Sequence, residues 1–186
     1  MAVKTVSPAI EPVTLAEAKT WLHVDHSDDD ALIEFLITAA REMVEDRTNL
    51  LVARRTMEAT FDAFPCVELQ LPGPVLSVES VTHVDEDGYE QTLAADEWVL
   101  DNPENRPGWL VPYEAWPFTL GTVNAVRIRY EAGYETPELT PSRIKLVIHL
   151  LLRGWYDVRS SIIVGKAPAA IPFGVDSALE RLRVFS

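Results

Sequence analysis

The chain has 186 residues, of which 47% are hydrophobic and 24% are charged. This composition is typical of a soluble globular protein and excludes extensive disorder, and the length suits one domain, or one domain with an insertion. The formal net charge of -13 argues against a DNA-reading module, because an acidic surface repels nucleic acid. No apolar run approaches the roughly 20 residues that span a bilayer. Residues 1–8 lack the apolar core of a signal peptide, so we expect folding in the cytoplasm.

Two helices are predicted after an extended leader, residues 3–13, which contains two prolines. Thr14 and Glu17 have the spacing of a capping box, which starts a short helix that ends near His23. A longer helix is predicted over residues 29–48, with Ser27 or Asp28 as its cap and Asn49 as its stop. The apolar stripe predicted for this helix comprises Leu32, Phe35, Leu36, Ala39, Ala40, Met43 and Val44. The polar residues Arg41, Glu42, Glu45 and Asp46 are placed mostly on the other face.

From Arg55 onward the hydrophobic period changes to two, which predicts β-strands. The predicted strands are residues 56–64, 67–71, 78–84, 97–100, 108–111 and 123–130. Residues 85–88 form a predicted turn in which Gly88 adopts a positive φ, and Gly133 ends the last strand.

A second long helix is predicted over residues 141–158, followed by a tail whose prolines disfavour a long helix and which ends in a short turn over residues 176–182. The order of elements predicts an α+β fold: a small helical bundle (two N-terminal helices and one long C-terminal helix) with an inserted antiparallel β domain and an extended C-terminal tail. The predicted domains are a leader with helices (1–54), a β-rich insertion (55–134), a C-terminal helix packing on the N-terminal helices (135–160) and a tail for partner docking (161–186).

No set of residues predicts catalysis, a cofactor or a metal site. His23 and His26, with the neighbouring aspartates, could bind a metal, but a solvated link between two helices is the favoured interpretation. His149, in an apolar helix, is interpreted as a core or interface residue. Cys66, the single cysteine, is interpreted as a buried apolar filler. A hydrolase that uses a carboxylate pair remains an alternative, supported only by the abundance of acids.

An aromatic cluster marks the second half of the β block. Its members are Trp109, Tyr113, Trp116 and Phe118, with prolines between them. Packing in the core of a small β unit is the favoured interpretation, since each aromatic side chain buries a large area. A binding platform for a glycan or a peptide is the alternative function, and a protein–protein contact lies between the two.

Several segments, in this order along the chain, resemble the head–tail connector (adaptor) proteins of tailed phages and gene transfer agents, which attach beneath the portal. The segments are Pro12–Leu22, Asp29–Ile33, Leu71–Val78, Asp85–Gly88, Val126–Tyr134, Pro141–Lys145, Gly154–Arg159 and Ile171–Phe185. The resemblance also implies a helical core with a β insertion, in agreement with the periodicity.

The resemblance implies a non-enzymatic structural protein of the virion, located at the head–tail interface and assembled in the host cytoplasm. Its expected partners are the portal protein, stopper and tail-completion proteins, and further copies of itself in a ring, commonly dodecameric among relatives. Because some relatives anchor their C-terminus in the portal, the resemblance implies portal-binding residues in the tail, namely Phe173, Val175, Leu179, Arg181, Leu182, Arg183 and Phe185. DNA is expected to pass through the ring without sequence-specific binding, and an acidic channel lining would let it slide.

Overall fold

The structure is a computed structural model that describes residues 1–103, 107–159 and 175–180. The chain forms two compact units. The β unit comprises Met1–Ile10 and Arg54–Glu135, and the helical unit comprises Glu11–Ala53 and Thr136–Ser186. Helices and antiparallel sheets occur together, which confirms the predicted α+β class.

The β unit contains two antiparallel sheets. The five-stranded sheet has the order β1-β2-β8-β4-β5; its strands are β1 (Ala2–Thr5), β2 (Arg55–Phe61), β4 (Val75–Val84), β5 (Glu90–Leu93) and β8 (Val126–Ala132). The three-stranded sheet has the order β3-β7-β6; its strands are β3 (Leu69–Leu71), β6 (Trp98–Asp101) and β7 (Gly108–Pro112).

Strand β8 forms because its residues alternate between the two faces of the sheet. Val126, Ile128 and Tyr130 are completely buried, while Arg127 and Arg129 between them are exposed. This is the pattern of a strand with one face on a core. As predicted, the strand ends at Gly133, whose φ of +107° few other residues adopt.

Two strands were not predicted. β1 lies in the leader and pairs with β2, with Ala2 opposite Thr60 and Thr5 opposite Met57, so residues 1–10 group with the β unit. β5 pairs with the end of β4 after the turn over residues 85–88, in which Gly88 has the predicted positive φ of +88°. Both strands have four residues and are mostly exposed, so neither shows the apolar alternation by which strands are recognised.

The described part of the helical unit contains α1 (Leu15–Leu22), α2 (Asp30–Thr48), a short 3-10 helix (Pro137–Leu139), α3 (Ser142–Arg159) and α4 (Val175–Glu180). Helix α2 packs against α1, α3 and α4, and α3 also contacts α1 and α4. The buried side chains of the two long helices are Ile33, Ile37, Ala40 and Val44 on α2, and Ile144, Val147, Ile148, Leu151 and Leu152 on α3.

The helix ends follow the predicted signals with one exception. The Thr14 hydroxyl accepts a hydrogen bond from the Glu17 backbone N–H at 3.2 Å, and Glu17 accepts one from the Thr14 backbone N–H at 2.8 Å, which confirms the capping box. His23 and Asn49 end α1 and α2 in the left-handed conformation, each with φ of +58°. The predicted capping of α2 by Ser27 or Asp28 is wrong, because the N-cap is Asp29, whose side chain makes no capping bond.

The predicted burial of α2 is correct for Ala40 and Val44, which are both 0% exposed, but wrong for other positions. Phe35, assigned to the apolar stripe, is 67% exposed, whereas Arg41 and Glu45 are only 5% and 9% exposed. The core stripe includes Ile33 and Ile37 instead. Periodicity could not separate these alternatives, because α2 carries apolar residues around more than one face.

An ion-pair cluster compensates the two buried charges. Arg41 Nη1 donates to Glu45 Oε2 at 2.9 Å, and Arg41 Nε donates to Glu11 Oε2 at 3.1 Å. Glu45 Oε1 also accepts from the backbone N–H groups of Val52 and Ala53, at 2.7 and 3.1 Å. Burial acts against the charge of Arg41, but Glu11 and Glu45 outweigh it and raise the pKa of Arg41. The cluster therefore fixes the rotation of α2 and the chain segments on either side of it.

Candidate functional site

The predicted portal-binding residues lie in a part of the chain that the structure describes only in part. Val175 and Leu179, on α4, are 0% and 3% exposed, and α4 contacts α2 and α3. Phe173, Arg181, Leu182, Arg183 and Phe185 lie outside the described residues. Because Val175 and Leu179 are part of the core of the helical unit here, portal docking through them would require α4 to leave that core.

Within residues 1–103, 107–159 and 175–180, no group of three His, Cys, Asp or Glu side chains is arranged to hold a metal ion. His26 Nδ1 lies 3.9 Å from Asp28 Oδ2, and His23 is exposed at the end of α1. No helix in this part of the chain is both long and apolar enough to cross a bilayer. The prediction that Cys66 is buried is wrong, since the thiol is exposed between β2 and β3.

The aromatic cluster of the β unit is partly on the surface. The rings of Trp116 and Phe64 stack with centroids 4.6 Å apart, and Trp116 Nε1 donates to the Val67 carbonyl at 2.8 Å. Tyr113 and Phe118 are 66% and 83% exposed. The core-packing interpretation is therefore wrong for Tyr113 and Phe118, and these side chains are free to contact a partner.

A groove opens on the surface of the helical unit, between α1 and α3. Its lining includes Ala16, Thr20 and Trp21 from α1 and His149 and Arg153 from α3, and its volume is about 730 Å³. The rings of Trp21 and His149 stack with centroids 5.0 Å apart. We name this feature the Trp21–His149 groove. Burial lowers the pKa of His149, so the ring stays neutral at physiological pH and adds to the uncharged surface of the groove.

Two ion pairs border the groove. Lys145 Nζ lies 3.1 Å from Glu17 Oε1, and Arg153 Nε lies 2.7 Å from Asp157 Oδ2. They surround an apolar depression with a charged rim, which is the usual composition of a site for another protein.

A second apolar stripe runs along α2 beside the buried one. It consists of Leu32, Phe35, Leu36, Ala39 and Met43, of which Phe35 is exposed and the others are half-buried. Their spacing of three and four residues places them on one side of the helix, about a third of a turn from the buried stripe. We name this stripe the α2 apolar face. The single stripe predicted from the sequence contains residues of both stripes, and the signal that separates them is the presence of Ile33 and Ile37, which lie outside the predicted stripe.

Charge is distributed unequally over the two units. In the amino-acid sequence, the β unit has 15 acidic and 6 basic residues, a formal net charge of -9, and the helical unit has 14 acidic and 10 basic residues, a formal net charge of -4. A negative net charge on each unit disfavours binding of nucleic acid through its phosphates.

Comparison with known proteins shows which class of protein the chain resembles. The family model described as "Phage gp6-like head-tail connector protein" matches residues 12–69, a segment that begins in the leader and ends in β3. No curated protein sequence matches the chain significantly. This match, to less than a third of the chain, confirms the resemblance to head–tail connector proteins seen in the sequence segments.

Solved structures extend the likeness from this segment to the whole chain. A chain of the virion of a native gene transfer agent particle is 25% identical, with a TM-score of 0.81, and a chain of the neck of a native particle with C12 symmetry is 26% identical, with a TM-score of 0.80. A chain of the neck of an empty particle with C6 symmetry is 24% identical and shows the shared fold, with a TM-score of 0.79. Each match covers 100% of this chain and 97% of the other.

Proposed function

We propose that this protein is a structural head–tail connector that binds beneath the portal as a ring, extends the DNA channel and links the capsid to stopper and tail proteins. The observation that carries this proposal is the match of the whole chain, at TM-scores of 0.79 to 0.81, to chains of gene transfer agent necks and virions. A shared fold alone does not imply a shared function. Here the family match over residues 12–69 points independently to the same role.

The ring is the expected form of assembly. Neck structures with C6 and C12 symmetry contain chains of this fold, and a closed ring forms when each copy contacts the next through two different surfaces. The Trp21–His149 groove and the α2 apolar face provide surfaces of this kind. The proposed location is the head–tail interface of the virion, and the proposed role is assembly without catalysis.

The channel is proposed to be acidic. The net charge of -13 for each copy multiplies around a ring, and negative potential along a channel keeps DNA from binding tightly to its wall. A ring structure in which basic side chains dominate the lumen would contradict this part of the proposal.

Portal docking by the tail remains part of the proposal. The seven predicted residues provide apolar anchors and two arginines, Arg181 and Arg183, whose guanidinium groups can pair with carboxylates on the portal. Since Val175 and Leu179 are buried in the free chain, docking through them requires exchange of a contact within the helical unit for a contact with the portal. Such an exchange would couple tail release to portal binding.

The decisive experiment is binding of the purified chain to its cognate portal ring, with and without residues 166–186. The full chain is expected to form a stable complex in size-exclusion chromatography, and the truncated chain is expected to bind much more weakly. Equal binding by both would remove the tail from the proposal. No binding by the full chain would contradict the connector function itself.

A second candidate function is favoured by the exposure of Tyr113 and Phe118 beside the stacked Phe64 and Trp116. Exposed aromatic side chains of this kind bind glycans or peptides. Titration of the chain with a panel of glycans and peptides, read by tryptophan fluorescence, tests it. Saturable binding that Trp116→Ala abolishes would support this function, and an unchanged signal across the panel would remove it.

A further inference from the structure

We propose that neighbouring copies in the ring contact each other by packing the α2 apolar face of one copy into the Trp21–His149 groove of the next. This inference rests on the proposed ring assembly and names the two surfaces that form it.

The α2 apolar face has the character of an interface. Phe35 is 67% exposed and, among the residues described for α2, it is the large hydrophobic side chain most open to solvent. The half-buried Leu32, Leu36, Ala39 and Met43 extend the apolar surface along the helix. A helix that lays apolar residues with this spacing into a groove is a common mode of protein recognition, with an aromatic residue as the anchor.

The Trp21–His149 groove is large enough to receive such an anchor. The small side chains of Ala16 and Thr20 leave space beside the rings of Trp21, which is 41% exposed, and His149. A volume of about 730 Å³ is comparable to that of pockets for drug-sized ligands, so a phenyl ring fits together with its apolar neighbours. Aromatic rings that meet there can adopt the favourable offset or edge-to-face arrangements.

The two surfaces cannot meet within one copy. Helix α2 contacts α1 and α3 through its buried stripe, which includes Ile33, Ile37 and Val44. The α2 apolar face lies about a third of a turn away from this stripe. The groove is formed by residues of α1 and α3 that are turned away from the same core. Two unlike surfaces on one unit, each at least partly exposed, are what a heterologous ring contact requires.

The acidic edge of the α2 apolar face is complementary to Arg153 at the edge of the groove. Glu42 and Asp46 follow Phe35 by two and three turns of α2 and are exposed. Arg153 lines the groove, and its side chain is 47% exposed, so it can be shared between Asp157 of its own copy, 2.7 Å away, and an acidic residue of the next copy. Exposed charges of this kind add little binding free energy, but they orient the partner and disfavour the reverse arrangement. Because every copy carries both surfaces, the same charges meet at each contact between neighbouring copies in the ring.

The test uses cognate portal rings, on which the copies assemble. Wild-type chain is expected to bind cooperatively and fill the ring. Phe35→Ala and Trp21→Ala are each expected to weaken filling of the ring by about 30-fold, since aromatic anchors carry a large share of interface binding. Tyr89→Ala is the matched control, because Tyr89 in the β unit is 69% exposed, almost the same as Phe35, and it is expected to behave as wild type. Circular dichroism checks that each variant is folded.

Mixing the variants distinguishes two unlike surfaces from a symmetric contact. In an equimolar mixture, Phe35→Ala retains an intact groove and Trp21→Ala retains an intact α2 apolar face, so one productive contact can form between them. Native mass spectrometry at high protein concentration is expected to detect this heterodimer, whereas each variant alone stays monomeric. Absence of the heterodimer, where wild-type chain self-associates under the same conditions, would overturn the assignment.

Cross-linking locates the contact directly. In a Cys66→Ser background, which removes the exposed native thiol, the double variant Thr20→Cys/Phe35→Cys is expected to give a ladder of disulfide-linked species up to the closed ring on the portal. Neither single cysteine variant gives more than background. Dimers from Phe35→Cys alone would show a symmetric contact and overturn the proposal. Wild-type binding to the portal without any ladder would overturn this inference and leave the connector function standing, and no ring at all would overturn both.

Discussion

The two units of this protein carry their charged residues in different ways. In the β unit, ion pairs connect neighbouring strands on the surface: Lys4 with Glu58 at 2.7 Å and Arg129 with Glu79 at 2.8 Å. In the helical unit, Arg41 lies between Glu11 and Glu45 with its side chain 7% exposed. Pairs of similar length therefore occupy very different environments.

This difference in exposure predicts a difference in how much each ion pair contributes to stability. An exposed ion pair gains little free energy when it forms, because solvent screens the attraction between the charges. A buried pair has lost its water, so removal of one partner leaves the other charged and unsolvated. The Glu11–Arg41–Glu45 cluster also binds the backbone of Val52 and Ala53, so we expect it to control the stability of the helical unit.

The largest expected effect comes from Arg41→Ala. The substitution removes the guanidinium that pairs with the buried carboxylate of Glu45, and we expect a loss of about 3–5 kcal/mol in the free energy of unfolding. Urea unfolding followed by far-UV circular dichroism measures it. A loss under about 1 kcal/mol, similar to that of a surface pair, would contradict the comparison between the two units.

Thr14→Ala is expected to have a smaller effect in the helical unit. It removes the hydroxyl that accepts from the Glu17 backbone N–H, and loss of such a cap costs about 1 kcal/mol. The same unfolding measurement applies. Thr14→Ser keeps the hydroxyl and is the control; if both variants lose equal stability, the capping bond is not the cause.

A pH effect is expected from His83 in the β unit. Burial lowers the pKa of His83 from its ordinary value, partly opposed by Asp85 and Glu97. The unfolded chain therefore binds a proton more readily than the folded one, so this contribution to stability is complete above the ordinary histidine pKa and is lost as the pH falls through the folded value. When the pH is lowered from about 7 to about 5.5, the free energy of unfolding should fall further for the wild type than for His83→Gln. Equal losses would remove His83 as the cause.

Arg129→Ala is expected to have the smallest effect. Its pair with Glu79 is substantially exposed, with side chains 48% and 40% accessible, so the loss should be about 0.5 kcal/mol or less. High salt should reduce even this difference, because exposed pairs are screened. A loss approaching that of Arg41→Ala would show that exposure does not separate the two kinds of pair.

Prediction from the sequence succeeded where local physics is sufficient. The capping box of Thr14 and Glu17, the helix stops at His23 and Asn49, and the turn at Gly88 all depend on residues within a few positions of each other. Strand β8 could be predicted because its alternation is unbroken, although its bounds are Val126–Ala132 and not 123–130.

Prediction failed where the outcome depends on distant residues. β1 and β5 exist because β2 and β4 offer them an edge to pair with. Cys66 is exposed because no other part of the described chain covers the segment between β2 and β3. The groove of the candidate site requires α1 and α3, which are more than 100 residues apart in the sequence, to lie side by side.

Helix α2 shows most clearly what the sequence determined and what the tertiary structure determined. The sequence by itself determined that residues 30–48 form a helix with enough apolar residues for more than one face. Which face is buried was decided only by the tertiary structure, because Glu11 and the Val52–Ala53 backbone satisfy Arg41 and Glu45 inside the unit. With those charges compensated in the core, Ile33 and Ile37 turn inward and Phe35 turns outward. A residue that periodicity assigned to the core thus becomes the anchor of the proposed contact between copies.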